Sequence, residues 1–257
     1  MAKTKISIKP KKKSSGFWDT IRTVAYAVIA AMIVRTVALE PFNIPSGSMK
    51  PTLLVGDYLF VSKYAYGYSK YSLPWGIDLF SGRLFGSEPE RGDVAVFKLP
   101  RDNETDYIKR IVGLPGDRIQ LKHGLIYVND VAIERRQIKN FSETDLYGRT
   151  SSIPQYVETL PGGAEHHTLD SNPNSNLDNT PVYKVPEGHY FAMGDNRDNS
   201  LDSRLDNSYS GVGFIPAENL IGRAEFIFYS TNGAAEIWEI WKWGKATRVE
   251  RLFDAVD

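Results

Sequence analysis

From residue 17 the chain turns apolar. Phe17 to Leu39 is interrupted only by Asp19, Arg22 and Arg35, and Thr23–Val34 carries no charge. As a helix this stretch would be about 34 Å long at 1.5 Å per residue, against a hydrocarbon core of roughly 30 Å. Arg22 and Arg35 lie near its ends, where long side chains can snorkel to the headgroups. Pro41 and Pro45 then stop any helix and open an extended segment. Beyond them the pattern changes to short β-branched and aromatic runs between Gly, Pro and Asp, at 58–66, 93–99, 107–113, 117–122, 125–129, 189–193 and 219–229. Ile119–Lys122 and Leu125–Asn129, joined by His123-Gly124, predict a hairpin. No segment of helical period and comparable length occurs between residues 50 and 215, so the chain reads as mainly β.

Three stretches stand apart from that pattern. Residues 66–90 are rich in Tyr, Gly, Ser and Pro around apolar Leu79, Phe80, Leu84 and Phe85, and read as a long loop or exposed hairpin. Residues 140–182 are polar and read as an inserted subdomain or a mobile excursion rather than core. Residues 234–243, with Trp238, Trp241 and Trp243, fit either a terminal helix at a membrane interface or a short helix packed on the domain.

Charge and composition sharpen this reading. The 257 residues are formally neutral, which argues against a nucleic-acid partner, yet Lys3, Lys5, Lys9, Lys11, Lys12 and Lys13 crowd the first 16 positions without one acid. A cleaved signal peptide, a buried soluble helix and a retained anchor compete for the apolar stretch. No small-residue cleavage site follows Val34, and a soluble helix leaves the lysines unexplained. The retained anchor is favoured, with the N-terminus held in the cytoplasm and residues 40–257 sent across the membrane. The absence of cysteine removes disulfides, thiolate nucleophiles and Cys-based metal sites.

Serine catalysis ordinarily needs a histidine. His123, His166, His167 and His189 lie near no nucleophile-elbow pattern, and Gly-x-Ser-x-Gly is absent. Adjacent His166 and His167 cannot both face one ion on a regular element, so no metal is expected there. Three other segments read differently. In Pro45-Ser46-Gly47-Ser48-Met49-Lys50-Pro51-Thr52, Gly47 allows a tight turn that projects Ser48 and leaves N–H groups free for an oxyanion, although a plain Ser/Gly turn fits equally. On a strand through Asp106–Gly113, Lys109 shares a face with Tyr107 and Ile111, and apolar surroundings favour its neutral form unless the ammonium reaches water or a carboxylate. The cluster from Gly194 to Arg204 is a solvent loop or a buried ion network able to hold Ser200; its acids do not alternate as a calcium loop requires.

Taken together, Pro45–Thr52 running into Gly56-Asp57, Arg91–Phe97, Tyr107–Asp117 and Gly194–Arg204 closely resemble the type I (bacterial) signal peptidase family, the membrane-bound Ser/Lys leader peptidases. The resemblance implies a basic cytoplasmic tail (1–16), a transmembrane anchor (17–39), and a β catalytic domain in two parts (40–134 and 186–257). A smaller β subdomain (135–185) is inserted between them. It implies Ser48 as nucleophile, Lys109 as base, Ser46 with the Ser48 N–H as oxyanion hole, and Ser200 as the group that aims the lysine. Asp195, Arg197, Asp202 and Arg204 would support the loop. Phe42, Ile44, Met49, Leu53, Val96, Tyr107 and Ile108 would line pockets for small side chains before the cut. No cofactor or metal is implied. Substrates would be precursors bearing signal peptides, met by a monomer at the lipid of the bacterial cytoplasmic (inner) membrane, single-pass, with the catalytic domain on the periplasmic side. Many relatives carry two spans where this chain offers one. Rival readings are a dedicated Ser/Lys processing peptidase for one secretion or conjugation substrate, a self-cleaving repressor, for which residues 1–40 are too short and apolar, and a non-catalytic anchored relative.

Overall fold

The computed structural model describes residues 16–72, 82–144, 148–172, 174–206, 211–235 and 238–256. The lysine-rich leader and the apolar pair Leu79 and Phe80 lie outside these residues. Helix α1 (Gly16–Val37) comes first, and every side chain described along it is exposed. Among the described residues no helix is long and apolar enough to cross a membrane. α1 has 22 residues but includes Asp19, Arg22 and Arg35.

The rest is β-rich, as the pattern predicts. Strands β1 (Leu39–Asn43), β2 (Asp57–Ser62), β3 (Val94–Lys98) and β4 (Asp106–Gly113) precede the hairpin of β5 (Arg118–Lys122) and β6 (Leu125–Val128). That hairpin pairs Ile119 with Val128 and Lys122 with Leu125 around His123-Gly124, both at positive φ. After β7 (Val131–Ala132) come β8 (Glu134–Gln137), β9 (Phe141–Thr144), β10 (Thr150–Ile153), β11 (Gln155–Thr159) and β12 (Glu165–Leu169). β13 (Tyr183–Lys184), β14 (His189–Met193), β15 (Ile215–Pro216) and β16 (Leu220–Ser230) complete the set. One seven-stranded sheet runs β1-β2-β16-β3-β4-β14-β15 with antiparallel pairings, and β13-β5-β6-β7 form a second. The polar stretch expected outside the core contributes β11 and β12 to the three-stranded sheet β12-β11-β8, and β9 and β10 form a separate hairpin.

Strand β4 ties three apolar clusters together. Ile108 packs with Val94, Val96, Met49 and Leu53; Ile111 with Ala95, Phe97 and Tyr190; Val112 with Ile119, Ile126, Phe191 and Met193. Each fully buried aliphatic or aromatic side chain here is worth about 1.5–3 kcal/mol of transfer free energy, so β4 is fixed on both faces. Near the C-terminus a turn at Ile240–Lys242 runs into the one-turn helix α2 (Trp243–Ala246). Trp238, Trp241 and Trp243 are exposed while Ala246 is buried.

The chain reaches β2 through a tight turn anchored by Asp57. This fully buried carboxylate accepts from Leu54 N, Ser230 Oγ and the Arg251 guanidinium, tying the turn to the far end of the chain. Gly56 makes the turn possible: its φ is +90°, and a Cβ there would lie 2.1 Å from the carbonyl oxygen of Thr231. Gly56→Ala should therefore lower unfolding stability by about 2 kcal/mol or more, read as a shift in the urea midpoint of detergent-solubilised protein. A midpoint matching wild type would show that the β2–β16 end relaxes freely.

Candidate active site

Ser48 and Lys109 come from elements 61 residues apart in sequence and meet inside the protein. Ser48 sits on the turn after β1. Its carbonyl accepts from Asn196 N at 3.0 Å, and the Gly47 carbonyl accepts from Asn196 Nδ2 at 2.9 Å. Lys109 is on β4, where its cross-strand partner is the small, fully buried Ala95. Its Nζ lies 2.7 Å from Ser48 Oγ and donates to the Ile108 carbonyl at 2.9 Å. The Tyr107 ring stands 5.4 Å away.

Only 3% of Lys109 is exposed. Burial pulls its pKa down from 10.5 to about 8; Asp202 and Asp195 pull it partly back, and Arg204 pushes it lower. As an ammonium it donates to Ser48 Oγ. Once it loses a proton, the same 2.7 Å contact reverses, and the hydroxyl donates to the amine lone pair. Ser46 Oγ is 3.3 Å from Ser48 Oγ, and among the described residues nothing accepts a hydrogen bond from the Ser48 N–H. Two donors are thus available beside the hydroxyl.

Ser200 is buried behind this pair. Its hydroxyl meets no full hydrogen-bond partner among the described residues, although its proximity helps hold Asp202 ionised. Gly194 explains the close approach: a Cβ there would lie 2.2 Å from Ser200 Oγ and 2.5 Å from the Ser48 carbonyl oxygen. Both atoms therefore rest on the same face of Gly194.

The acids and arginines of the 194–204 loop are paired, but not chiefly with one another. Arg204 grips Asp202 through Nε and Nη2 at 2.9 Å each, and Gly194 N donates to the same carboxylate. Asp195 instead takes a bidentate contact from Arg110 on β4, at 2.9 and 2.8 Å, and a third bond from Thr52 Oγ1 at 2.6 Å. Arg197 reaches the fully buried Glu158 on β11 through both terminal nitrogens. Burial alone would raise the pKa of Asp195, Asp202 and Glu158, but the facing arginines outweigh it and hold all three below their ordinary values. Beside Glu158, His166 is driven down to about 4 by burial and by Arg110, so it is neutral at physiological pH. His167 is exposed on the opposite face of β12, as adjacent strand positions require. Arg110, Thr52 and Glu158 are members of this network that the sequence patterns did not single out.

A groove of about 530 Å³ opens onto Ser48 and Lys109. Phe42, Ile44, Val96, Tyr107 and Ile108 line it, as does Leu201, with polar Thr105, Asp106 and Asn199 at its wall. Met49 and Leu53 lie beneath it, packed in the core and not in its lining. The apolar side chains beside Ser48 therefore divide into groove wall and foundation.

Among the described residues one trio of metal-capable side chains converges: oxygens of Asp170, Asp178 and Asp198 lie within 4.8 Å of one another. Protein groups already serve these carboxylates. Arg135 donates to Asp170 at 2.6 Å, Ser171 N and Asn172 N to Asp198 at 2.8 Å, and Ser175 N to Asp178 at 2.8 Å. No part in the chemistry at Ser48 is assigned to them.

The sequence is similar to those of known proteins. Residues 17–229 match the family described as "Signal peptidase, peptidase S26". The chain is 45% identical over 215 residues to a signal peptidase I of Rickettsia akari (strain Hartford), covering 80% of this chain and 77% of that protein. It is 43% identical over 249 residues to one of Rickettsia canadensis (strain McKiel), covering 90% and 91%. Among solved structures it is similar to a signal peptidase I from Enterococcus faecalis V583, with a TM-score of 0.32 and 24% identity, covering 53% of this chain and 97% of that one. With a match across most of its length and relatives this similar, the chain belongs to the signal peptidase family, peptidase S26.

Proposed function

We propose that the chain is a membrane-anchored serine endopeptidase that removes signal peptides from exported precursors, with Ser48 as nucleophile and Lys109 as general base. The observation that carries this reading is the 2.7 Å contact between a serine hydroxyl and a desolvated lysine amine at the floor of an apolar groove. With a pKa of about 8, a useful fraction of Lys109 is neutral near physiological pH. The neutral amine takes the Ser48 proton as Oγ attacks the scissile carbonyl, then delivers it to the leaving amine of the mature protein. The Ser46 hydroxyl and the Ser48 N–H receive the oxyanion. Ser200 and the paired acids and arginines of its loop position the amine. Ala-sized side chains before the cut enter the groove between Phe42, Ile44, Val96, Tyr107 and Ile108, whose walls are backed by the core residues Met49 and Leu53.

For the setting, α1 serves as the anchor of a single-pass monomer in the bacterial inner membrane: it falls short of a uniformly apolar span, but its charges Asp19, Arg22 and Arg35 lie near its two ends, where they can reach the headgroups. Its 22 residues would extend about 33 Å at 1.5 Å per residue, and its exposed sides leave it free to meet lipid. The lysines of residues 1–16 keep the N-terminus cytoplasmic, and the catalytic domain faces the periplasm, where it shares a surface with membrane-held precursors.

Four outcomes follow. A synthetic precursor peptide with Ala at the first and third positions before the cut should be cleaved after the second Ala by the solubilised chain and not by Ser48→Ala. Lys109→Arg should lose roughly 10²–10⁴-fold in kcat/KM, as badly as Lys109→Ala, because guanidinium cannot give up its proton in a protein; substantial activity in the arginine variant would remove Lys109 as base. The base must be neutral to work, so kcat/KM should climb with pH up to about 8 and level off above it. A limb near pH 6.5 would point to a histidine instead. In spheroplasts, external protease should digest the catalytic domain, and its protection would reverse the orientation.

A further inference from the structure

Ser48 belongs to the lining of the groove. Lys50, two positions further on, is outside its lining but folds back against the nucleophile turn. A Cβ on Gly47 would stand 3.3 Å from Lys50 Cε and 3.6 Å from Nδ2 of the groove residue Asn199, so the lysine stem lies over Gly47, the residue before Ser48. The ammonium meets Glu143 Oε2 at 2.5 Å. Glu143 comes from β9, 93 residues away, on the hairpin that forms its own two-stranded sheet in the inserted region.

This inference rests on the peptidase reading above. If the segment before the cut occupies the apolar groove, the segment after it continues beyond Ser48, and Lys50 with Glu143 is the ion pair that adjoins the nucleophile turn. We propose that Lys50 and Glu143 form a charge-reading subsite for the mature part of the substrate, where an acidic side chain shortly after the cut takes over Lys50 from Glu143. The exposures favour the exchange in that direction. The Glu143 side chain is 36% exposed and can turn to water once released, whereas the Lys50 side chain is 16% exposed and needs a counter-charge. A partly exposed pair contributes little by itself, so replacing one carboxylate by another costs little.

The experiment uses the full chain in detergent and three precursor peptides, identical but for Glu, Gln or Lys at the second position after the cut. Wild type should favour the Glu over the Lys peptide by roughly fivefold in kcat/KM, a ratio that shrinks as salt is raised. Lys50→Gln should bring the ratio close to one. The exchange K50E/E143K keeps an ion pair between turn and hairpin but reverses its sense, and should invert the preference. A pair that merely pins the hairpin would leave the ratio unmoved in that double variant, and an unchanged ratio across all three proteins overturns the subsite. Failure of wild type to cut any of the peptides would remove the peptidase reading, and the subsite with it.

Discussion

Everything at the site depends on keeping one amine out of water. Holding Lys109 at a pKa of about 8 instead of 10.5 costs about 3 kcal/mol of folding free energy near neutral pH, a sizeable share of the few to fifteen that a domain has in total. The expense is tolerable because β4 is fixed by three apolar clusters at once, so the strand cannot tilt to let the side chain reach solvent. A less constrained strand would let the lysine snorkel, and its amine would stay a fully charged ammonium with no lone pair to offer Ser48.

The neighbouring charges act as a counterweight. Two buried carboxylates near an amine would normally raise its pKa, and Asp195 and Asp202 do so here. Each is already claimed by an arginine, Arg110 or Arg204, through two hydrogen bonds. Their fields are thereby partly cancelled before they reach Lys109. The same pairs satisfy polar groups that would otherwise be costly to bury, and they hold the loop that carries Ser200 and grips the Ser48 turn. Electrostatic moderation and mechanical support come from one set of contacts.

Much of this was legible in the residues. The strand pattern located β2 to β6, β14 and β16 within a few residues, because alternation and turn chemistry act locally. The segments around Ser48, Lys109 and Ser200 stood out by type, but their convergence came only with the resemblance, since nothing local says that residues 61 apart will touch. Two things were hidden. Polarity usually signals solvent, so the stretch holding Glu158 and His166 read as an excursion, whereas ion pairing allows it to be buried. Apolar character beside Ser48 could not separate wall from floor: Ile44 lines the groove while Met49 and Leu53 lie in the core below it. Arg110 escaped notice because it points away from Lys109 on the same strand and acts from the other side of the sheet.

The Glu158–Arg197 contact makes the inserted region a poor candidate for free exchange. A protein engineer grafting this segment from a distant homologue would treat it as a peripheral cassette, to be judged by loop ends and solubility. Yet the cassette brings the only carboxylate that neutralises Arg197 among the described ion pairs, and Arg197 sits three positions before Ser200. A donor segment lacking that acid would leave a buried guanidinium uncompensated in the loop that carries Ser200, so graft compatibility is set by one charge rather than by length or shape.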